Sequence, residues 1–474
     1  MKSKRREFLK LTGMAGIGLA GKRFIPEYPS IYQEHDKIIS APEWVQKADM
    51  FTAERWYSTS DSTDTKNPVW QGYDIELEDV RVDRIVRLAS ANGYKKKTEQ
   101  RLAVIDGTFD GTELKGVPLI THCPISKTAF SQAHEQGFRL IPYVHFTDIH
   151  LFYSDQDIFL FQHPEVLMKD SNGKWVHIPM DGTDRVFRLL TCTNNPGYVR
   201  LSLDYVKKIM DWGSDGIFID NTNKRLECYA HKSRKTLNPE FGQYEHVHIY
   251  PDQTHNFAFT RFLEQVRLLV KSYGDDKIVM LNSGIGEDFQ IHGDLCEWES
   301  FIYSWSWEGR RKEHSWNYIK ERAKTNEWYF NAGCRVMAKS TLNPSRKEVK
   351  DDAYWAFSAA RLAGFIWKGN LRNTGASWLY KAHLGAPLEP LKETDQVAYK
   401  SFEDGVVVLN DSSEDITKTL ILSKEFRHNL LMDMYDGKQS LNVRRGQVKI
   451  TIPKQSARVY ISSDSFQNIL QNKG

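Results

Sequence analysis

What this chain has little of excludes several kinds of protein before any motif is considered. Cysteine is scarce: five in 474 residues (Cys123, Cys192, Cys228, Cys296 and Cys334), with no CxxC pair and no short Cys/His spacing. The sequence therefore predicts neither a zinc knuckle nor a dense disulfide framework, and buried thiols are the preferred reading. Charge of one sign is also missing. The formal net charge is +3, part of it at the N-terminus, so nucleic-acid binding has no electrostatic support. No strand-to-helix turn carries a glycine-rich phosphate loop, which argues against a nucleotide-binding open sheet. No apolar run is both long enough and poor enough in glycine to form a stable membrane span.

What is present begins with residues 1–21. Ser3-Lys4-Arg5-Arg6-Glu7-Phe8-Leu9-Lys10 sets paired arginines before Phe and Leu, and a weakly apolar stretch from Leu11 to Gly21 follows, with small residues at Gly18 and Ala20. This order resembles a bacterial twin-arginine export signal and implies a periplasmic or extracellular location; no Cys follows to support a lipoprotein anchor. A polar linker is expected over residues 22–41.

From 42 to 392 strand-like and helix-like patches alternate. The spacing predicts helices over Asp79–Ala91, Ser126–Gln136, Tyr198–Trp212, Thr254–Tyr273 and Lys347–Leu362. It predicts strands somewhere in Glu54–Ile75 and at Arg101–Gly107, Phe138–Phe146, Gly216–Asp220, Lys277–Gly284, Asp294–Phe301, Cys334–Ser340 and Gly364–Trp367. Eight strand slots separated by helices favour a closed parallel barrel over an open sheet. From Gln396 to about residue 464 the pattern changes to short strands parted by Asp, Asn, Ser, Gly and Pro, as in a small all-β sandwich. Aromatic residues are plentiful, 13 Trp, 21 Tyr and 24 Phe, which suits a sugar-binding cleft as well as an aromatic core.

The chain is organised around Gly213-Ser214-Asp215-Gly216-Ile217-Phe218-Ile219-Asp220-Asn221-Thr222-Asn223, which reads as a buried parallel strand with polar residues at its C-terminal mouth. At that mouth an Asp reads either as catalytic or as the cap of the next helix. Taken with Phe138–Phe146, the phrase His163-Pro164-Glu165 through Asp170-Ser171-Asn172-Gly173-Lys174, and Asp294–Ser300, this strand resembles TIM-barrel glycoside hydrolases. The group near the endo-α-1,4-polygalactosaminidases is the nearest, with the α-galactosidase clan more distant. Leu384–Leu388, Phe402–Asn410 and Ala457–Tyr460 resemble the β-sandwich that closes many such barrels.

The resemblance implies an exported glycoside hydrolase: a (β/α)8 TIM barrel with a C-terminal β-sandwich that cleaves a poly- or oligosaccharide without a cofactor. It implies an Asp at the end of the fourth strand, Asp220, and an acid on a later one. Glu299 is preferred for the second and Glu297 is its competitor, since strand alternation turns both to one side. Asp106, Tyr143, His145, Asp148, Asn221, Asn282 and Lys339 fall at or just past strand ends, where groups that bind sugar hydroxyls are needed. Trp305 and Trp307, beside Arg310 and Arg311, suit stacking on a sugar ring. For His145, His150, His246 and His248 no HxxxH pattern and no acid at ligand spacing supports a metal, so none is expected. Two other readings stay open: a barrel that binds carbohydrate without turnover, and a metal-dependent hydrolase or deacetylase on the same scaffold. Removal of the N-terminal 20 or so residues is the expected outcome of export. Intact-mass measurement on protein from its native envelope checks it, and a chain still carrying Met1 contradicts it.

Overall fold

In the computed structural model, the structure describes residues 41–46, 48, 50–51, 119–123, 127–135, 137–150, 164–173, 175–179, 187–222, 226–230, 246–282, 292–299, 301, 315–325, 327, 330, 333–340, 342, 345–369, 371, 374–394, 396–437 and 439–471. In chain order the strands begin with β1 (Met50–Phe51), β2 (Leu119–Cys123) and β3 (Arg139–His145). An excursion of β4 (Asp148–His150), β5 (His177–Pro179) and β6 (Phe187–Leu190) follows, and then β7 (Gly216–Asp220), β8 (Ile278–Leu281), β9 (Leu295–Trp298), β10 (Arg335–Ser340) and β11 (Ile366–Gly369). Eight of these form one sheet in the order β1-β11-β10-β9-β8-β7-β3-β2, and every pairing in it is parallel. The two end strands of the row, β1 and β2, come within 8 Å of each other between Cα atoms. The predicted strands in Glu54–Ile75 and Arg101–Gly107 lie outside the described residues. Beside β3, where Arg101–Gly107 was expected, stands Leu119–Cys123, a five-residue run that the periodicity did not single out.

Both faces of the sheet are buried, and the strand sequences show why. On β7, Ile217 and Ile219 join one apolar cluster while Phe218 joins another. Likewise, Val279 and Leu281 of β8 face the first cluster and Ile278 and Met280 the second. The first lies under the helices and the second collects the side chains on the opposite face, including Ile141, Leu295, Met337 and Ile366. Continuous apolar strands of this kind are what a parallel sheet covered on both sides requires. The short helix Glu43–Gln46 adds Trp44 and Val45 to the second cluster. Trp44 donates to the Asp276 carbonyl at 3.1 Å and packs under the Arg139 guanidinium, so the helix sits at the N-terminal ends of the strands.

The helices begin and end where local chemistry dictates. Pro196–Asp211 starts on Asn195, whose side-chain oxygen accepts from the N–H groups of Gly197 and Tyr198, with Pro196 in the first turn where no donor is needed. Thr254 caps His255–Lys271 in the same way, accepting from Phe257. At the strand ends away from the mouth, acids serve as anchors. Asp215 accepts from the Leu140 N–H and pairs with His134 and Lys277, while Asp294 holds Arg267, Lys271 and the Val279 N–H. Asp294 is thereby a structural residue and not part of the mouth.

β4, β6 and β5 form a three-stranded antiparallel sheet of their own, and the strands after β11 form two more. One runs β12 (Lys392–Thr394), β13 (Val397–Ser401), β14 (Gly405–Asn410), β19 (Ser456–Ser462), β16 (Leu430–Asp433), β17 (Ser440–Asn442); the other pairs β15 (Ile416–Ile421) with β18 (Gln447–Ile452). Residues alternate between two cores. Val406 and Val408 pack with Leu420, Val448 and Ile450, whereas Val407, Leu409, Val459 and Ile461 join the cluster containing the helix Val349–Leu362. That helix is buried at Val349 and at every position from Asp352 to Leu362. A bridge between Pro387 and Phe402 and the pairing of β12 carry this region back before Gln396, and a helix, Ser463–Gln471, carries it past residue 464.

Gly216, which opens the central strand, has φ +151°, and a Cβ there would lie 1.9 Å from the Ile278 carbonyl oxygen. No side chain relieves that contact, because backbone opposes it. Gly216→Ala is expected to cost at least about 1–3 kcal/mol of conformational strain and to displace β8 as well. Thermal denaturation checks this, and an unchanged Tm contradicts it.

Candidate active site

The sequence turns polar where the parallel strands end, and the structure brings those residues into one place. Asp220 ends β7, Asn282 follows β8, Glu299 follows β9, Lys339 lies near the end of β10, and Tyr143 and His145 close β3. All occupy the C-terminal ends of the sheet. The Tyr143 hydroxyl donates to Oδ2 of Asp220, and the Asn282 amide donates to Oδ1 at 2.7 Å. The same amide nitrogen lies 3.1 Å from Oε2 of Glu299. One side chain thus bridges the two carboxylates proposed from the sequence. Their bridged oxygens lie no farther apart than the sum of 2.7 and 3.1 Å.

The other oxygen of Glu299 accepts from Lys339 at 2.6 Å. Burial is the largest influence on this carboxyl and pushes its pKa up. The charge and hydrogen bond of Lys339, the Asn282 amide and the charge of Lys368 outweigh it, and the net shift is below the ordinary value. Glu299 is held as a carboxylate. Tyr143 moves the other way: burial first, then the charge and hydrogen bond of Asp220, raise its phenol well above its ordinary value, so it stays a donor throughout the useful pH range.

Glu297 and Glu299 leave the same face of their strand, as alternation requires, but at different depths. Glu297 is fully buried. Oε2 lies 2.5 Å from Lys368 Nζ and Oε1 3.3 Å from Lys339 Nζ. Burial pushes Lys368 down to about 8 against the opposing pull of Glu297. Glu297 therefore belongs to an enclosed ion cluster beneath the mouth rather than to the surface that meets a substrate. Lys339, expected to bind sugar, is engaged by both glutamates, and their charges lift its pKa against the effect of burial.

Asp148 is a support as well. It is buried, and Asn221 donates to both of its oxygens at 3.1 Å. Asn221 adopts φ 55°, a left-handed conformation that Asn tolerates better than most residues, and its carbonyl accepts from Thr147. His145 stands between the two acids, 3.4 Å from Asp148 and 3.9 Å from Asp220. Asp106, Trp305 and Trp307 lie outside the described residues.

Sequence reasoning missed one cluster altogether. Cys192, Cys228, His246 and His248 are all buried, and one ligand atom of each lies within 4.8 Å of the others. The cysteines among the described residues are free and buried, as expected, but two of them stand beside two histidines that the sequence pattern places at the surface or behind the site: the chain separations are long, and the fold closes them. A signal was present in His246-Val247-His248, where alternation in an extended segment turns both rings inward and leaves Val247 71% exposed.

The chain matches no protein-family profile, and no curated protein matches it. Among solved structures it is similar to the alpha-amylase of Geobacillus thermoleovorans complexed with acarbose, at 12% identity and a TM-score of 0.44, over 74% of this chain and 89% of that one. It is also similar to an Anoxybacillus alpha-amylase, at 11% identity and a TM-score of 0.45, over 89% of this chain and 98% of that one. A third is a GH30 endoxylanase from Clostridium papyrosolvens, at 10% identity and a TM-score of 0.41, over 74% and 90%.

The two glutamates are separable by experiment. Glu297→Gln leaves buried ammonium groups without their counter-charge and is expected to cost about 3–5 kcal/mol, whereas Glu299→Gln, at a half-buried site, is expected to cost far less. Denaturant unfolding of both variants checks this, and equal losses contradict it.

Proposed function

We propose that the chain is an exported glycoside hydrolase on a closed (β/α)8 barrel with a small C-terminal β-sandwich, cleaving a poly- or oligosaccharide with Asp220 and Glu299. The observation that carries this reading is the single Asn282 amide donating to both carboxylates at the C-terminal ends of parallel strands. A shared donor keeps one oxygen of each carboxylate close to the other, which supports the roughly 5–5.5 Å spacing of retaining enzymes over the roughly 6.5–9.5 Å that inverting ones keep for a water. In a retaining reaction Asp220 attacks the anomeric carbon and forms a glycosyl ester while Glu299 gives its proton to the departing oxygen. Glu299 then takes a proton from the water that cleaves the ester. Tyr143 and Asn282 hold Asp220 in place through its two oxygens. The sequence around Asp220 supports kinship with the group near the endo-α-1,4-polygalactosaminidases, and the twin-arginine-like N-terminus supports export.

A second reading is favoured by the Lys339–Glu299 pair. An acid held as its carboxylate cannot protonate a leaving group until a bound sugar loosens that pair. A barrel in which the pair persists binds glycans without turning them over.

Asp220→Asn is expected to abolish turnover with little change in Tm, because the exchange is nearly isosteric. Glu299→Gln is expected to slow substrates with poor leaving groups far more than activated aryl glycosides, since only the former need the proton. If neither variant alters hydrolysis of a glycan that the wild type cleaves, the mechanism is wrong. Glycan affinity without turnover in the wild type identifies the second reading.

The pH profile offers a further check. Lys339 favours ionised Glu299, so Lys339→Met leaves burial dominant and raises the pKa of Glu299. The limb of kcat/KM that Glu299 governs is expected to move to higher pH. A shifted basic limb marks Glu299 as the acid, a shifted acidic limb marks it as the base, and no shift removes it from the mechanism.

A further inference from the structure

Away from Asp220 and Glu299, two thiols and two imidazoles converge from three stretches of chain. Cys192 lies between β6 and the helix Pro196–Asp211; Cys228 and His246 with His248 lie on the connection that follows β7. Cys192 Sγ is 3.5 Å from His248 Nε2, and Cys228 Sγ is 3.6 Å from His246 Nε2. Around a tetrahedral zinc ion with Zn–S of about 2.3 Å and Zn–N of about 2.0–2.1 Å, the sulfur–nitrogen edge is about 3.5 Å. The two contacts match that edge.

We propose that Cys192, Cys228, His246 and His248 bind one zinc ion as a closed structural Cys2His2 site. A borderline-soft ion without geometric preference of its own suits two thiolates and two imidazoles, and four protein ligands leave no position for water or substrate. The surroundings agree. Met168, Leu190 and Ala230 enclose the cluster and keep water out, as the shell of a metal site does. Backbone groups of Asn194 and Asn195 hydrogen-bond to Cys192 and fix the position of its sulfur. His255 places Nδ1 4.0 Å from the same sulfur, while its Nε2 is 3.3 Å from the Thr193 hydroxyl, which makes it a neighbour of the site and not a fifth ligand. Each thiol loses its proton on binding, so loading releases up to two protons per zinc ion.

The ion would join the excursion after β3 to the connection after β7, the two segments on either side of Asp220. It would act as a staple near the mouth and take no part in chemistry there. This inference does not depend on the glycosidase reading.

Elemental analysis of the whole purified protein, prepared with zinc and reductant and then dialysed, is expected to give one zinc per chain. Replacement by Co2+ is expected to give the intense visible bands of a tetrahedral site together with sulfur-to-cobalt charge transfer. Removing zinc with a chelator is expected to lower Tm by several degrees, restored by zinc and not by magnesium. Cys228→Ser is expected to lose at least tenfold in zinc affinity and about half the charge-transfer intensity. Should that variant fail to fold, the wild-type cobalt spectrum stands as the test by itself. Less than about a tenth of a zinc per chain in reduced protein, or a cobalt spectrum without sulfur charge transfer, overturns the proposal. So does a Cys192–Cys228 disulfide that forms in the presence of excess zinc.

Discussion

A carboxylate enclosed between two ammonium groups is the constraint on which the mouth of the sheet depends. Glu297 has no access to water, so it has to be neutralised where it stands, and Lys368 and Lys339 do this from the next two strands of the row. Three strands are thereby tied at one level, just above the apolar layer of Met280, Leu295, Met337 and Ile366. Lys339 has charge to share and reaches up to Glu299. The protonation of the outer glutamate is thus set partly by an inner one that no solvent reaches. Disturbing the inner pair changes the outer residue without touching it.

The strand ends were legible in the sequence because parallel strands buried on both faces leave polar side chains few places to go. Gly216 to Asp220 reads as apolar up to its last residue, and that residue stands at the C-terminal end of the strand beside Tyr143 and Asn282. Alternation narrowed the acids of Asp294–Ser300 to Glu297 and Glu299 but could not rank them, because depth along a strand is set by where the neighbouring strands end. Asn282 was legible as a residue at a strand end but not as the bridge between two carboxylates, which depends on the spacing of β7, β8 and β9 in three dimensions.

What was not legible came from residues far apart in the chain. The metal-ligating types are separated by 18 residues between Cys228 and His246 and by 56 between Cys192 and His248, well beyond the spacings of local metal motifs. Leu119–Cys123 escaped notice because a short mixed run, with Thr and His between apolar residues, carries no clear period. The short helix Glu43–Gln46 was missed for a related reason: its four residues give no periodicity, and its importance lies in the tryptophan that it sets against the strand ends.

The helix Val349–Leu362 has almost no side given over to water, since one flank meets the parallel sheet and the other meets β14 and β19. An amphipathic helix covering a barrel could shed its neighbour and remain soluble; this one could not. Cutting the chain before β13 would strip Val407, Leu409, Val459 and Ile461 from it and leave an apolar ridge along the flank of the parallel sheet. One face of the C-terminal sheets is accordingly the second half of that helix's packing, and one apolar cluster runs through what the strand patterns suggest are two modules.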